Sequence, residues 1–357
     1  MKIAIVISNI LKCGGTERVV CGIANYLSQK YKVEIISLFS NGGESFFELS
    51  RNITIHHLSV NSYENKSFRY KIVGWIKSIN SYRKFVKKIN PDIYIGTSRN
   101  TNIMALLFRN NNIVIGCEHF SALSPMNGFL RIFRDNAYKK LDSLVVLTQK
   151  DCNYYKENKI KAEVIPNSVS YTSCNNIQGK SKIALAVGRH SKEKAFDKLI
   201  RIWSQIENQN PDWNLYIIGD GELFDYNKSL ANEIGLKKVS FIPFQKNIQE
   251  YYKQASLYLM TSLYEAFPMV LIEAQTHGCV CISYNCETGP AEIINDGING
   301  CLVEYDNSKM FVEKFHMLAN NAELMKDMAK NAIHDAERFS PNAIMPKWLN
   351  LINKFSR

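Results

Sequence analysis

The chain has 357 residues, of which 46% are hydrophobic and 22% charged, a globular balance that excludes disordered, collagen-like and fibrous classes. At roughly 150 residues per domain the length predicts two domains, and no apolar run approaches the ~18–20 residues of a membrane-spanning helix. All of the net charge of +11 lies in the first half: residues 1–170 hold 24 Lys+Arg against 12 Asp+Glu, while residues 171–357 hold 20 against 21.

The opening run 2–7 stops at Ser8-Asn9, too short for a signal-peptide core, and reads as the first buried strand of a cytoplasmic protein. Further strands are predicted at 32–38, 53–58, 92–96, 113–116, 143–147 and 163–165. Between them lie helix-period segments such as 17–27, where Val19, Val20, Ile23, Ala24 and Leu27 form one stripe. Residues 66–90 hold Lys66, Arg69, Lys71, Lys77, Arg83, Lys84, Lys87 and Lys88 and no acid, beside an apolar face of Ile72, Val73, Ile76, Ile79, Tyr82, Phe85, Val86 and Ile89 with Trp75 at its edge. A basic amphipathic helix with Trp reads as a membrane-surface element, and Lys71, Trp75, Lys77, Arg83, Lys84, Lys87 and Lys88 are its predicted contacts. A second such segment, 129–140, sets Phe129, Leu130, Ile132 and Phe133 beside Arg131, Arg134, Lys139 and Lys140.

A Ser/Asn-rich stretch from 167 to 182 is read as a linker. Beyond it the strand pattern resumes at 183–187, 214–218, 239–241, 257–260, 280–283 and 301–303. Short apolar runs alternating with helices predict parallel sheets covered on both faces. The expected organisation is α/β, with a basic domain at 1–166, a second domain at 183–340, and a terminal helix at 341–357 that belongs to the second core or crosses back to the first. Ligands of two such doubly wound domains bind outside the carboxyl ends of the strands, in the cleft between them. The nine cysteines include no C-x-x-C pair and read as reduced thiols.

Three motifs carry chemistry. Gly14-Gly15-Thr16-Glu17 opens the first helix, where glycines admit a ligand to the backbone and unpaired N–H groups face an anion. Arg189 and Lys194 follow the first strand of the second domain and suit a diphosphate. In Glu265-Ala266-Phe267-Pro268-Met269-Val270-Leu271-Ile272-Glu273, Pro268 is expected to be the first residue of a helix. The amides from Met269 onward then lie between two carboxylates, an arrangement for holding hydroxyls on either side of a diphosphate, as in a nucleotide-sugar.

Together, Glu265-x7-Glu273, the Gly14-Gly15 loop, Gly188-Arg189 with Lys194, Ile165-Pro166-Asn167-Ser168 and Gly219-Asp220-Gly221-Glu222 resemble the retaining GT-B glycosyltransferases of glycosyltransferase family 4 over nearly the whole chain. The resemblance implies that Glu265 binds hydroxyls of the transferred sugar and Glu273 those of the ribose. Arg189 and Lys194 neutralise the diphosphate, joined by amides of Gly14-Gly15 and of the Ala266-Phe267 to Met269-Val270 stretch. The backbone near Pro243-Phe244 takes the base, and His119 lies near sugar and acceptor. Relatives with glycine at the positions of Ala266 and Pro268 differ here, and Cys286-Glu287-Thr288-Gly289-Pro290 resembles a subset acting on lipid-linked oligosaccharides.

The implied reaction moves a hexose or N-acetylhexosamine, with retention, from a nucleotide-sugar (UDP-linked by resemblance) to a polyprenyl-diphosphate-linked saccharide in bacterial surface-glycan synthesis. Glu265, His119, Arg189 and Lys194 are its implied catalytic set. No D-x-D motif appears, so no metal or other cofactor is expected, and the implied address is the cytoplasmic face of an anionic inner membrane. A non-hydrolysing epimerase of the same architecture would need a further set of cleft carboxylates, and a nucleic-acid-binding protein would need a recognisable module; neither is present.

Overall fold

The computed structural model describes residues 1–58, 68–124, 126–169 and 179–356, with backbone alone at 68–75 and 78. It divides into two compact units, one of Met1–Ser168 with Ile344–Arg357 and the other of Val169–Ala343. In the first unit the elements run β1 (Lys2–Ile7), α1 (Gly15–Leu27), β2 (Lys32–Ser37), β3 (Thr54–His57), α2 (Phe68–Ile89), β4 (Ile93–Gly96), α3 (Arg99–Leu107), β5 (Ile113–Cys117), α4 (Gly128–Tyr138), β6 (Ser143–Val146), α5 (Gln149–Glu157) and β7 (Ala162–Val164). The second continues with β8 (Ser181–Val187), α6 (Phe196–Gln209), β9 (Asn214–Ile218), α7 (Phe224–Ile234), β10 (Val239–Ile242), α8 (Gln249–Gln254), β11 (Ala255–Met260), α9 (Met269–Thr276), β12 (Val280–Tyr284), α10 (Pro290–Ile293), β13 (Gly300–Val303), α11 (Ser308–Ala319) and α12 (Ala322–Ala336). The closing helix α13 (Pro341–Asn353) starts in the second unit and ends in the first.

Each predicted strand is present. The sheets are ordered β3-β2-β1-β4-β5-β6-β7 and β10-β9-β8-β11-β12-β13, and every pairing within them is parallel. Helices cover both faces, so strands such as β1 and β11 bury nearly every residue, and this is why they read as unbroken apolar runs. In both sheets the strand order reverses once, between β1 and β4 and between β8 and β11, and loops leaving those strands share a crevice at the carboxyl end.

Ile344, Met345, Trp348, Leu351 and Ile352 of α13 belong to one buried cluster with Ile3, Ile5, Val33 and Ile93. The Tyr31 hydroxyl donates to Asn353 at 2.8 Å and Lys354 Nζ to Glu163 Oε2 at 2.9 Å, tying this helix further to the first unit.

One expectation is corrected here. Five of the eight apolar residues assigned to a membrane in 66–90 are core: Tyr82, Val86 and Ile89 of α2 are buried with Ala4, Val6, Ile36 and Tyr94, and Ile79 and Phe85 pack against them. That sheet face needs a cover, and α2 supplies it. On the basic side Lys77, Arg83, Lys84, Lys87 and Lys88 are exposed, and so is Ile76 of the apolar set. The side chains of Lys71, Ile72, Val73 and Trp75, and the whole of Lys66 and of linker residues 170–178, lie outside the described residues. The eight described cysteines are free thiols, all buried except Cys13.

Candidate active site

The loops after β8 and β11 meet because those strands are neighbours at the reversal point of the sheet. After β8 the chain passes Gly188, whose N–H donates to the Ile218 carbonyl at 3.0 Å, and forms a single 3-10 turn over Lys192–Lys194. Ala195 then adopts a left-handed φ of 47° that turns the chain into α6. The second loop is fastened to this turn twice: Leu263 N–H donates to the Glu193 carbonyl at 2.8 Å, and the Thr261 hydroxyl to that of Ala195 at 3.1 Å. The result is an ion pair across 71 residues of sequence, with Lys194 Nζ 2.6 Å from Glu265 Oε1. Gly188 makes room for it, since a Cβ there would lie 3.3 Å from Lys194 Cε.

Arg189 is exposed beside this pair. It faces Glu193, whose carboxyl is held below its ordinary range by a hydrogen bond from the Ser191 hydroxyl and by its own backbone, and more weakly by Tyr264 and Arg189. The Glu265 carbonyl accepts from the Thr288 hydroxyl at 2.5 Å. Gly289, at φ 96°, lies so close under the loop that a Cβ would be 2.6 Å from Pro268 Cδ.

Pro268 is the N-cap of α9 and Met269 its first residue, so the expectation that the helix begins at Pro268 is corrected. With ψ at 89° Pro268 stands outside the helix, and its missing N–H subtracts nothing from the first turn. Leu271 N–H donates to the Pro268 carbonyl at 3.0 Å, while the amides of Met269 and Val270 have no partner further back in the helix. The Phe267 ring is buried edge-on to Phe339, 5.5 Å between centroids, so its backbone is the part available to a ligand. Ala266 is half-buried. Glu273 is buried on the inner side of α9, where Tyr252 donates to its Oε2 at 3.1 Å.

The loop after β9 closes the other side of this region. Gly219 and Gly221 take φ values of 142° and 153°, which let the chain pack on the backbone of the Gly188–His190 segment. Asp220 Oδ1 accepts from the Phe244 amide at 3.2 Å. At Pro243-Phe244, the backbone segment expected to meet a base, the amide is therefore engaged within the protein. His190 is buried between Phe196 and Phe224, paired through Nδ1 with Asn227 at 3.0 Å. Burial pushes its pKa down to about 4, so it stays neutral at ordinary pH.

In the first unit, Gly14 is the N-cap of α1 and Gly15 its first residue, both exposed. Glu17 folds back on this turn and is pushed up by burial, an effect opposed by hydrogen bonds from its own and the Gly14 backbone. His119 follows β5. Its Nδ1 is buried with no hydrogen-bond partner among the described residues, and burial pushes its pKa down to about 4. Beside it Glu118 is buried and accepts from the Tyr138 hydroxyl at 2.6 Å. Burial raises its pKa to about 7, against the opposing pull of Tyr138 and Arg134.

Among the described residues no group of three or more His, Cys, Asp or Glu side chains is placed to hold a metal ion. The cations at 189 and 194, beside the start of α9, form a site suited to an anion.

Comparison with known proteins identifies the family. The family model for glycosyl transferases group 1 matches residues 172–335, and that for glycosyltransferase family 4 matches residues 13–172. The amylovoran biosynthesis glycosyltransferase AmsD of Erwinia amylovora is 30% identical over 99% of both chains. The chain is a group 1 glycosyltransferase with a family 4 amino-terminal half. This glycosyltransferase is also 26% identical to the Campylobacter jejuni α-1,4-N-acetyl-D-galactosaminyltransferase named for a diNAcBac-PP-undecaprenol-linked acceptor, over 99% of this chain and 98% of that one. Its two units carry the GT-B fold: Anabaena HepE, solved with UDP, superposes with a TM-score of 0.81 over 99% of this chain and 100% of that one, at 16% identity. Among the described residues no helix is long and apolar enough to cross a membrane.

Sequence reading missed several supports of the glycosyltransferase's site. Asp220, Thr288, Tyr252 and the Ser191–Glu193–Tyr264 group act by holding other residues, through partners 21 to 24 positions away at Asp220, Thr288 and Tyr252, and no local spacing announces such pairs. Asp220, Thr288 and Gly289 did fall within quoted motifs, Gly219-Asp220-Gly221-Glu222 and Cys286-Glu287-Thr288-Gly289-Pro290, but the partners they hold were not legible there.

Proposed function

We propose that this glycosyltransferase transfers a hexose or N-acetylhexosamine, with retention of anomeric configuration, from a UDP-linked donor to a polyprenyl-diphosphate-linked saccharide at an anionic membrane surface. The observation that carries the proposal is the Lys194–Glu265 pair at 2.6 Å beside the first turn of α9. It sets a cation for phosphate and a carboxylate for sugar hydroxyls within one ligand's length. Arg189 and Lys194 neutralise the diphosphate with the Met269 and Val270 amides, Glu265 orients the sugar, and Glu273 takes the ribose hydroxyls. In the first unit, Gly14, Gly15 and His119 stand at carboxyl ends of strands β1 and β5, where ligands of such folds bind. A neutral His119 can exchange a hydrogen bond with a hydroxyl without adding charge.

In the proposed step the bond between the anomeric carbon and the diphosphate oxygen breaks, and the acceptor oxygen bonds to that carbon on the same face. The acceptor's proton passes to the leaving phosphate, so no protein nucleophile is required. The leaving charge is met by fixed cations and amides, the general means of stabilising such a transition state, and transfer is expected to proceed without added metal. The C. jejuni relative's named acceptor supports a polyprenyl-diphosphate saccharide, and HepE's ligand supports UDP. The exposed basic side of α2 supports electrostatic attraction to anionic lipid at the cytoplasmic face.

The test is a panel of UDP-sugars against lipid-diphosphate acceptors, read by mass spectrometry, with the anomer assigned by NMR and a parallel series in chelator. A retained anomer and unchanged rates in chelator are expected. An inverted anomer overturns the mechanism; loss of activity in chelator, restored by metal, overturns the charge assignment.

A further inference from the structure

Helix α4 is built inside out. Its buried residues are Arg134, Asp135 and Tyr138, while Phe129, Leu130, Ile132 and Phe133 are 77%, 50%, 62% and 54% exposed. These four fall within roughly half of the helix circumference, opposite the buried set. A polar seam fixes this orientation. Arg134 Nε donates to Asp135 Oδ1 at 2.8 Å, Tyr154 donates to Asp135 Oδ2 at 2.7 Å, and Tyr138 donates to Glu118 at 2.6 Å. The Arg134 guanidinium also lies 5.2 Å from the centre of the Tyr155 ring. Turning the apolar face inward would strand these groups, so the helix is held with its hydrophobic side out. The adjoining loop, joined through Arg134 Nη1 to the Ala122 carbonyl at 3.5 Å, adds Phe120, 67% exposed.

Four large apolar side chains exposed together on one face of a polar-anchored helix mark an interaction site, and the neighbouring charges identify the occupant. Asp135 is engaged by Arg134, so the exposed charges of α4 and its C-terminal end are Lys139 and Lys140, in a half-chain whose net charge is positive. Apolar side chains with a basic rim match an anionic bilayer interface. We infer that α4 is the element by which this protein enters the membrane, its Phe129, Leu130, Ile132 and Phe133 dipping into the acyl boundary. The inference rests on the reading of a membrane-borne acceptor. It replaces α2 as the inserting helix, because the apolar face of α2 is core, and leaves α2 the long-range attraction.

The test uses the full chain and co-sedimentation with vesicles of phosphatidylglycerol and phosphatidylcholine. Phe129→Ser with Phe133→Ser should lower partitioning about tenfold or more, since each phenyl group withdrawn from an apolar phase forfeits roughly that factor. Its melting temperature should be unchanged, because both rings are exposed. Lys84→Glu with Lys87→Glu and Lys88→Glu should weaken binding at low salt only, where screening is weak. Partitioning that the phenylalanine variant leaves unchanged overturns the inference. So does a change of oligomeric state in analytical ultracentrifugation with vesicle binding intact, which would assign the face to a second copy. Calorimetry with UDP separates the two readings: UDP binding without vesicle binding sinks the insertion and spares the transferase site, and the converse sinks the site alone.

Discussion

In the proposed donor complex a phosphate oxygen would compete with Glu265 for Lys194, since both are acceptors for the same ammonium. Lys194→Ala and Glu265→Ala should each lower transfer about a hundredfold or more, the usual cost of deleting one charge-stabilising group. The accompanying loss of folding stability should be about 1 kcal/mol, because the pair is partly exposed. Glu265→Gln should be instructive in a different way: it frees Lys194, so affinity for UDP alone should rise roughly three- to tenfold while transfer falls. Calorimetry alongside the transfer assay checks both; full transfer in any of the three variants refutes the assignment. Glu118 sets a second expectation at this scale. With its pKa raised from 4.5 to about 7, the folded protein keeps a proton that the unfolded chain releases between those values. Its contribution therefore makes stability fall as pH rises through that window and flatten above it. Glu118→Gln keeps an acceptor for Tyr138 and should remove this slope, gaining about 1–3 kcal/mol at pH 8 relative to pH 5. Melting curves at the two pH values decide the matter, and an unaltered slope would count against the buried acid.

Among elements, the acidic loop and α9 are held by a contact outside the motif itself. Gly289 sits at φ 96° with no room for a Cβ against Pro268. Gly289→Ala should cost about 1–3 kcal/mol through backbone strain and overpacking. It should also raise the KM for the donor more than it lowers kcat, because it moves the loop that carries Glu265 and leaves the side chains intact. A normal donor KM would show that the loop tolerates the shift. Periodicity identified α2 and α4 alike as basic amphipathic helices. It read both as membrane-surface elements, whereas in the structure α2 covers a sheet face and α4 presents its face outward. The hydrogen-bonding needs of Arg134 and Asp135, met by each other, by Tyr154 and by the loop at Ala122, decide the second case.

Across the whole molecule, the first unit's core includes residues from the last turns of the chain. Trp348 is buried among strand residues of that unit, and Trp348→Ala should cost it about 3–5 kcal/mol. The second unit has a separate core, so UDP binding there should persist at temperatures where the first unit has begun to melt, and unfolding should not be two-state. Simultaneous loss of UDP binding and of the first unit would refute that independence. The strands, their parallel pairing, the confinement of positive charge to one half, and the group of motifs that resembles a glycosyltransferase family were all legible in the amino-acid order. Each of these depends on residues close together in the chain or on composition. Strand order was the work of tertiary structure, and with it the meeting of Lys194 and Glu265, the burial of Phe267, the anchoring of Phe244 by Asp220 and the outward face of α4. Those outcomes depend on which partners arrive from distant parts of the chain, because an apolar stripe or a carboxylate specifies the kind of neighbour it needs without specifying which one it will find.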